Sequence, residues 1–178
     1  MGDPIERLRA DSRAGRSSAL DQLSVNERSQ VLTRLLASHP ELVDEAEAEA
    51  RDLLSDESSG AVEEDLAFEL GSLGIDDLAP RCGRIPGLGY VNEGEAAYEL
   101  LRETTEPFLA DMERRSKLGL AKEASAIATG IIAGLKRCED PEMGTVLAYA
   151  GEDSLIDLAD ETISRAQRCG ITVPEEDD

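Results

Sequence analysis

The chain has 178 residues, 39 of them Asp or Glu against 18 Lys or Arg, for a formal net charge of -21. So large an acid excess repels polyanions, which makes nucleic-acid backbones and anionic membrane surfaces poor ligands. Apolar residues are 40% of the chain while aromatics are 3% and Trp is absent, so a core must be built from Leu, Ala, Ile and Val. That palette favours packed helices over a β-sandwich.

Residues 1–19 are polar, with Ser12, Ser17 and Ser18 among alternating charges, and read as a partly ordered segment ahead of a single helical domain over 20–172. The first clear start signal is Ser24-Val25-Asn26-Glu27, a capping box in which Ser24 accepts from the Glu27 amide and Glu27 reaches back, with Leu23 as a staple. The helix that follows sets Val31, Leu32, Leu35 and Leu36 on one face and stops at Ser38-His39-Pro40, because the residue before proline avoids the helical region. Pro40 opens a second helix with Val43, Ala46, Ala50, Leu53 and Leu54 as its inner stripe. The two are expected to pair as an antiparallel hairpin.

A third helix after Ser58-Ser59-Gly60 carries Val62, Leu66, Leu70 and Leu73 to a stop at Gly74. From Ile75 to Val91 the periodicity weakens, and Pro80, Gly83, Pro86, Gly87 and Gly89 mark an irregular connection. Asn92 with Glu95 three residues on starts a long helix through Ala97, Leu101, Phe108 and Met112, with Pro107 inside it and a kink expected there. After Gly119, a helix places Leu120, Ala124, Ile127, Ile131 and Leu135 on one side and Ala126, Gly130 and Gly134 on another. Mid-helix glycines cost about 1 kcal/mol each relative to alanine, so close approach of a neighbouring helix is the expected compensation. The last helix runs from about Asp153 to Arg168, with Leu155, Ala159, Ile163 and Ala166 inward. An acidic tail follows over 173–178.

The fold class that emerges is all-α, about six helices in consecutive antiparallel hairpins, as a compact bundle or a short array resembling helical repeats. No secretory signal precedes Leu20, and the longest weakly polar run, Ala124 to Leu135, falls short of the ~20 residues a membrane helix needs. Cys82, Cys138 and Cys169 are odd in number and far apart, as expected of reduced thiols in a cytoplasmic protein. The acid excess itself has two readings, adaptation to a high-salt cytoplasm or an acidic protein of an Arg-preferring genome.

Chemistry-bearing patterns are sparse. Gly87 and Gly89 are spaced like the start of a dinucleotide fingerprint, but Asn92 stands in the third glycine's place and no βαβ unit frames them, so a turn into a capped helix is the simpler reading. His39 and the three cysteines lack the close pairs of a zinc site, and His39 reads as a cap for the helix beginning at Pro40. The acids Glu63, Glu64 and Asp65, like Glu45, Glu47 and Glu49, read as solvated helix faces. No catalytic, cofactor-binding or metal-binding residue is assigned.

Gly89-Tyr90-Val91-Asn92-Glu93, Ala97 to Leu101, Glu106-Pro107-Phe108-Leu109, Gly119-Leu120 and Gly130 to Leu135 together resemble the helical region that accompanies SWIM-type zinc fingers in uncharacterised prokaryotic proteins. The resemblance spans residues 89–139, and the finger itself, Cys-x-Cys followed by Cys-x-His, is absent. It implies a helical scaffold and carries over no functional residue. The expected function is therefore a non-enzymatic protein acting through protein contacts, with a basic partner fitting its charge. The alternatives are an acidic regulator that occupies the basic nucleic-acid-binding surface of another protein, or an enzyme whose type the sequence does not display.

Overall fold

A computed structural model describes residues 19–55, 58–85, 87, 89–139, 145–151 and 153–173. The expectations for residues 1–18 and for Pro174 to Asp178 fall outside them. Seven α-helices are present among the described residues: α1 (Val25–Ser38), α2 (Val43–Leu54), α3 (Ser59–Ser72), the single turn α4 (Ile75–Leu78), α5 (Glu93–Lys117), α6 (Ala121–Arg137) and α7 (Ser154–Arg168). The fold is all-α apart from one small hairpin. Where the sequence reads as one helical domain over 20–172, the chain divides into two units, 1–50 and 51–178.

In the first unit the local signals hold and the packing differs. Ser24 caps α1, with Glu27 accepting from the Ser24 amide at 2.9 Å and donating its own amide back to the Ser24 hydroxyl. Pro40 begins a short 3-10 turn, Pro40–Leu42, that leads into α2. No residue of α1 or α2 is fully buried, and of their stripes only Leu36, Ala46 and Leu54 are half-buried. Leu32 is 52% exposed and Leu53 81%. An amphipathic pattern specifies a face that gains by burial, without naming what buries it.

The second unit holds the core. Ser58 caps α3 by accepting from the Ala61 amide, and Asn92 caps α5 by accepting from the Glu95 amide at 2.8 Å. Helix α5 continues through Pro107 to Lys117. Helix α6 is central and packs against α3, α5 and α7. It turns Ala124, Ile127, Ala128, Ile131 and Leu135 inward against Leu66 and Leu70 of α3, Leu101, Leu109 and Met112 of α5, and Leu158 of α7. The glycines on α6 act as their spacing predicts. A Cβ on Gly130 would lie 2.5 Å from the Ser59 carbonyl oxygen and 2.7 Å from Val62 Cβ, and one on Gly134 would lie 3.1 Å from the Glu63 carbonyl oxygen. Helices α3 and α6 therefore touch nearly backbone to backbone.

Two sequence expectations need correction here. The connection before α5 is partly ordered as an antiparallel pair, β1 (Gly83–Ile85) with β2 (Gly89–Val91), in the register Gly83 to Val91 and Arg84 to Tyr90. Three-residue strands are too short to show a period of two, and Gly87 and Gly89 take positive φ of 86° and 91° in the turn region. The inner face of α7 is also rotated from the expected stripe, centring on Ser154, Leu158, Thr162 and Ala166. Thr162 can sit inside because its hydroxyl donates to the Leu158 carbonyl at 2.8 Å, which removes the penalty for burying it.

Candidate interaction surface

The chain has two Phe and three Tyr, and none of the five is buried. Phe68 is 77% exposed and Tyr90 78%. Phe68 belongs to the otherwise well-packed α3, whose inner residues Val62, Leu66 and Leu70 recur at helical spacing. Phe68 falls off that stripe, so the helix that anchors the core presents an aromatic ring to solvent on its other side.

Two clefts border this face of α3. The first, of about 280 Å³, lies between Val62, Asp65 and Glu69 of α3 and Pro107, Phe108 and Asp111 of α5, with Ile127 of α6 contributing to its lining. The second, of about 500 Å³, is lined by Glu64, Asp65, Ala67 and Phe68 of α3 and by Arg137 of α6. Asp65 lines both clefts.

The electrostatics of the face are uneven. Among the described residues, Glu64, Asp65 and Glu69 have no ion-pair partner. Arg137 is engaged with Glu63 at 3.5 Å. Asp111 is engaged by Arg114 and by the buried Arg115, which also donates to the Leu54 carbonyl at the end of α2. Burial works to raise the Asp111 carboxyl, and the hydrogen bonds from these two guanidinium groups outweigh it, holding the carboxyl below the ordinary carboxylate range. An incoming cation therefore meets unengaged carboxylates on α3 and a committed one on α5.

A separate charged network locks α5 to α7. Arg165, with a side chain only 13% exposed, donates to both oxygens of Glu106, at 2.7 and 2.9 Å, and to Glu113 at 2.7 Å. The bonds from Arg165 lower the Glu106 carboxyl, while the same bonds raise the already high Arg165 value further. Its role is structural, since each member is satisfied within the network.

Apart from Glu64 and Asp65, the candidate site residues weighed from sequence lie away from this face. Gly87 and Gly89 sit at the hairpin and Asn92 caps α5, which is the turn-and-cap reading of that segment. His39 does not cap the next helix with its side chain; its Nδ1 instead lies 3.0 Å from a Glu41 carboxylate oxygen. Cys82, Cys138 and Cys169 are free, and burial pushes the Cys138 thiol up, away from the thiolate a nucleophile needs. Phe108, at helical spacing with Leu101 and Met112, packs half-buried against the core and also lines the first cleft. Asp65 reads as part of a solvated face; it is exposed as expected, and it also borders two concavities. The signal available in sequence was Phe68, an aromatic residue off its helix's buried stripe and among acids.

No family model, no curated protein and no solved structure matches this chain.

Proposed function

We propose that the protein is a non-enzymatic helical module that works by binding another protein through the outer face of α3. The observation that carries this reading is Phe68, 77% exposed on a helix whose opposite face is the core. A fully buried Phe gains about 1.5–3 kcal/mol over an exposed one, so a ring left in water beside two concavities is energy available to a partner. Aromatic side chains are enriched in the buried centres of protein interfaces for this reason. No helix among the described residues is long and apolar enough to cross a membrane, and the free cysteines support a reducing, cytoplasmic setting.

Affinity capture from extract of the source cell tests the reading, with the wild-type chain, Phe68→Ala and Tyr90→Ala as parallel baits. Partners retained by wild type and by Tyr90→Ala should be lost from Phe68→Ala. An identical set on all three baits would refute it. The second reading, an acidic regulator that occupies a basic nucleic-acid-binding surface, draws on the unengaged Glu64, Asp65 and Glu69. Under it, added duplex DNA or RNA should displace this protein from its partner.

A further inference from the structure

Resting on the protein-binding reading, we infer that the cleft between α3 and α5 receives an arginine side chain from a basic segment of the partner. The cleft offers the two surfaces such a side chain needs. Its lining includes the exposed Pro107 and the half-buried ring of Phe108, together with the buried Val62 and Ile127. This apolar surface suits the methylene stem of arginine, which keeps its charge at the rim. At that rim Asp65 and Glu69 are one helical turn apart on α3, hence on the same face, and neither has an ion-pair partner among the described residues.

The chemistry selects among cations. A guanidinium is planar and delocalised, donates in two directions at once and stacks on an aromatic face, so one group can address both carboxylates and Phe108. An ammonium is a compact, strongly hydrated point charge that gives up more solvent to enter an apolar cleft. A small divalent ion needs six or more oxygen ligands, and the third carboxylate here, Asp111, is already held by Arg114 and Arg115. Phe68, on the other side of Asp65, supplies an anchor for an apolar neighbour of the arginine in the same segment.

The test uses the full chain and a defined probe, a fluorescent amphipathic peptide of about 18 residues, five helical turns, built from leucine and arginine. Two companions carry lysine or glutamate at every arginine position. Anisotropy titrations at about 0.1 M salt, where the Debye length is about 10 Å, limit attraction by distant charge. The arginine peptide should bind, the lysine peptide about threefold or more weaker, and the glutamate peptide not at all. The double variant Asp65→Asn/Glu69→Gln should weaken the arginine peptide about tenfold or more. Glu45→Gln/Glu47→Gln on α2 changes net charge equally and should weaken it less than about twofold. All four acids are exposed, so the folded chain should tolerate these changes, which a melting curve for each variant checks. Equal weakening by the two double variants would reduce the attraction to net charge and overturn the inference, as would an arginine peptide that does not bind. Peptide binding indifferent to Asp65 and Glu69, with partner capture still lost in Phe68→Ala, would sink the arginine cleft and leave the protein-binding reading standing. Partner capture retained in Phe68→Ala would sink that reading itself.

Discussion

Replacing Gly130 by alanine tests the closest approach in the core. The added Cβ would stand 2.5 Å from the Ser59 carbonyl oxygen and 2.7 Å from Val62 Cβ. Neither obstacle is the free end of a flexible side chain, so relief requires α3 to move off α6. Overpacking of this kind costs about 1–3 kcal/mol, and the upper half applies where backbone must yield. Against it stands the intrinsic preference of a helix interior for alanine over glycine, about 1 kcal/mol. The net expectation is a loss of about 1–2 kcal/mol, or a fall in Tm of about 2–8 °C at roughly 2–4 °C per kcal/mol for a chain of this size. Two other glycines calibrate the result. At Gly134 the nearest atoms would be the Glu63 carbonyl oxygen at 3.1 Å and Leu66 at 3.3 Å, so a smaller clash should roughly cancel the propensity gain. Gly71, near the end of α3, has nothing within 4 Å of an added Cβ, and alanine there should stabilise by about 0.5–1 kcal/mol. Urea or thermal unfolding of the three variants should rank them Gly71→Ala, Gly134→Ala, Gly130→Ala from most to least stable. A Gly130→Ala midpoint at or above wild type would refute the close contact.

Arg165→Met should destabilise by about 1–3 kcal/mol, since it removes the guanidinium that joins Glu106 and Glu113 of α5 to α7, and unfolding by denaturant measures it. The same pair gives a pH signature: the Glu106 carboxyl lies below its ordinary 4.5 in the folded chain, so its contribution is present above that pH and lost as pH falls through the folded value. Relief of repulsion among other carboxylates acts in the opposite sense, so the readout is the gap in stability between wild type and Arg165→Met, which should narrow below about pH 4.5. With a net charge of -21, Tm should rise between low salt and several hundred millimolar, and a flat series would remove self-repulsion as a factor. Mobility-shift assays should show no duplex-DNA complex at any salt, and untagged protein should contain no stoichiometric zinc by elemental analysis.

What was legible in sequence was mainly local. The capping box at Ser24, the cap at Asn92 and the stop before Pro40 are each decided by two to four adjacent residues, and the structure has them where the residues put them. The α3 stripe and the paired glycines of α6 were legible for a related reason, since a helix fixes which residues share a face. What failed depended on partners. The stripes of α1 and α2 identify faces without naming what lies against them, and only Leu36, Ala46 and Leu54 of them are half-buried while none is fully buried. The rotation of α7 turned on Thr162, whose hydroxyl finds a carbonyl on its own helix; a polar letter in the sequence does not reveal that satisfaction.

The close α3–α6 seam and the exposed ring of Phe68 lie on opposite sides of α3. Where α6 meets α3, Gly130 and Gly134 bring the backbones so close that added methyl groups have no room, and Ala124 and Ala128 line the same helix with little bulk. An interface of that width admits Val62, Leu66 and Leu70 and leaves no space for a ring between the helices. The aromatic residues of α3 and α5 stand outside that seam: Phe108 and Tyr98 are half-buried against the edge of the core, and Phe68 is in open water. Exposure alone would be served as well by a small or charged residue at position 68, and that choice would carry no exposed apolar area. Under the proposed protein-binding function, an aromatic ring there, flanked by Glu64, Asp65 and Glu69, would be contact area for a partner. Phe68→Ala thus separates the two roles in one measurement: folding stability should change by less than about 0.5 kcal/mol, as for a surface substitution, while partner retention is lost.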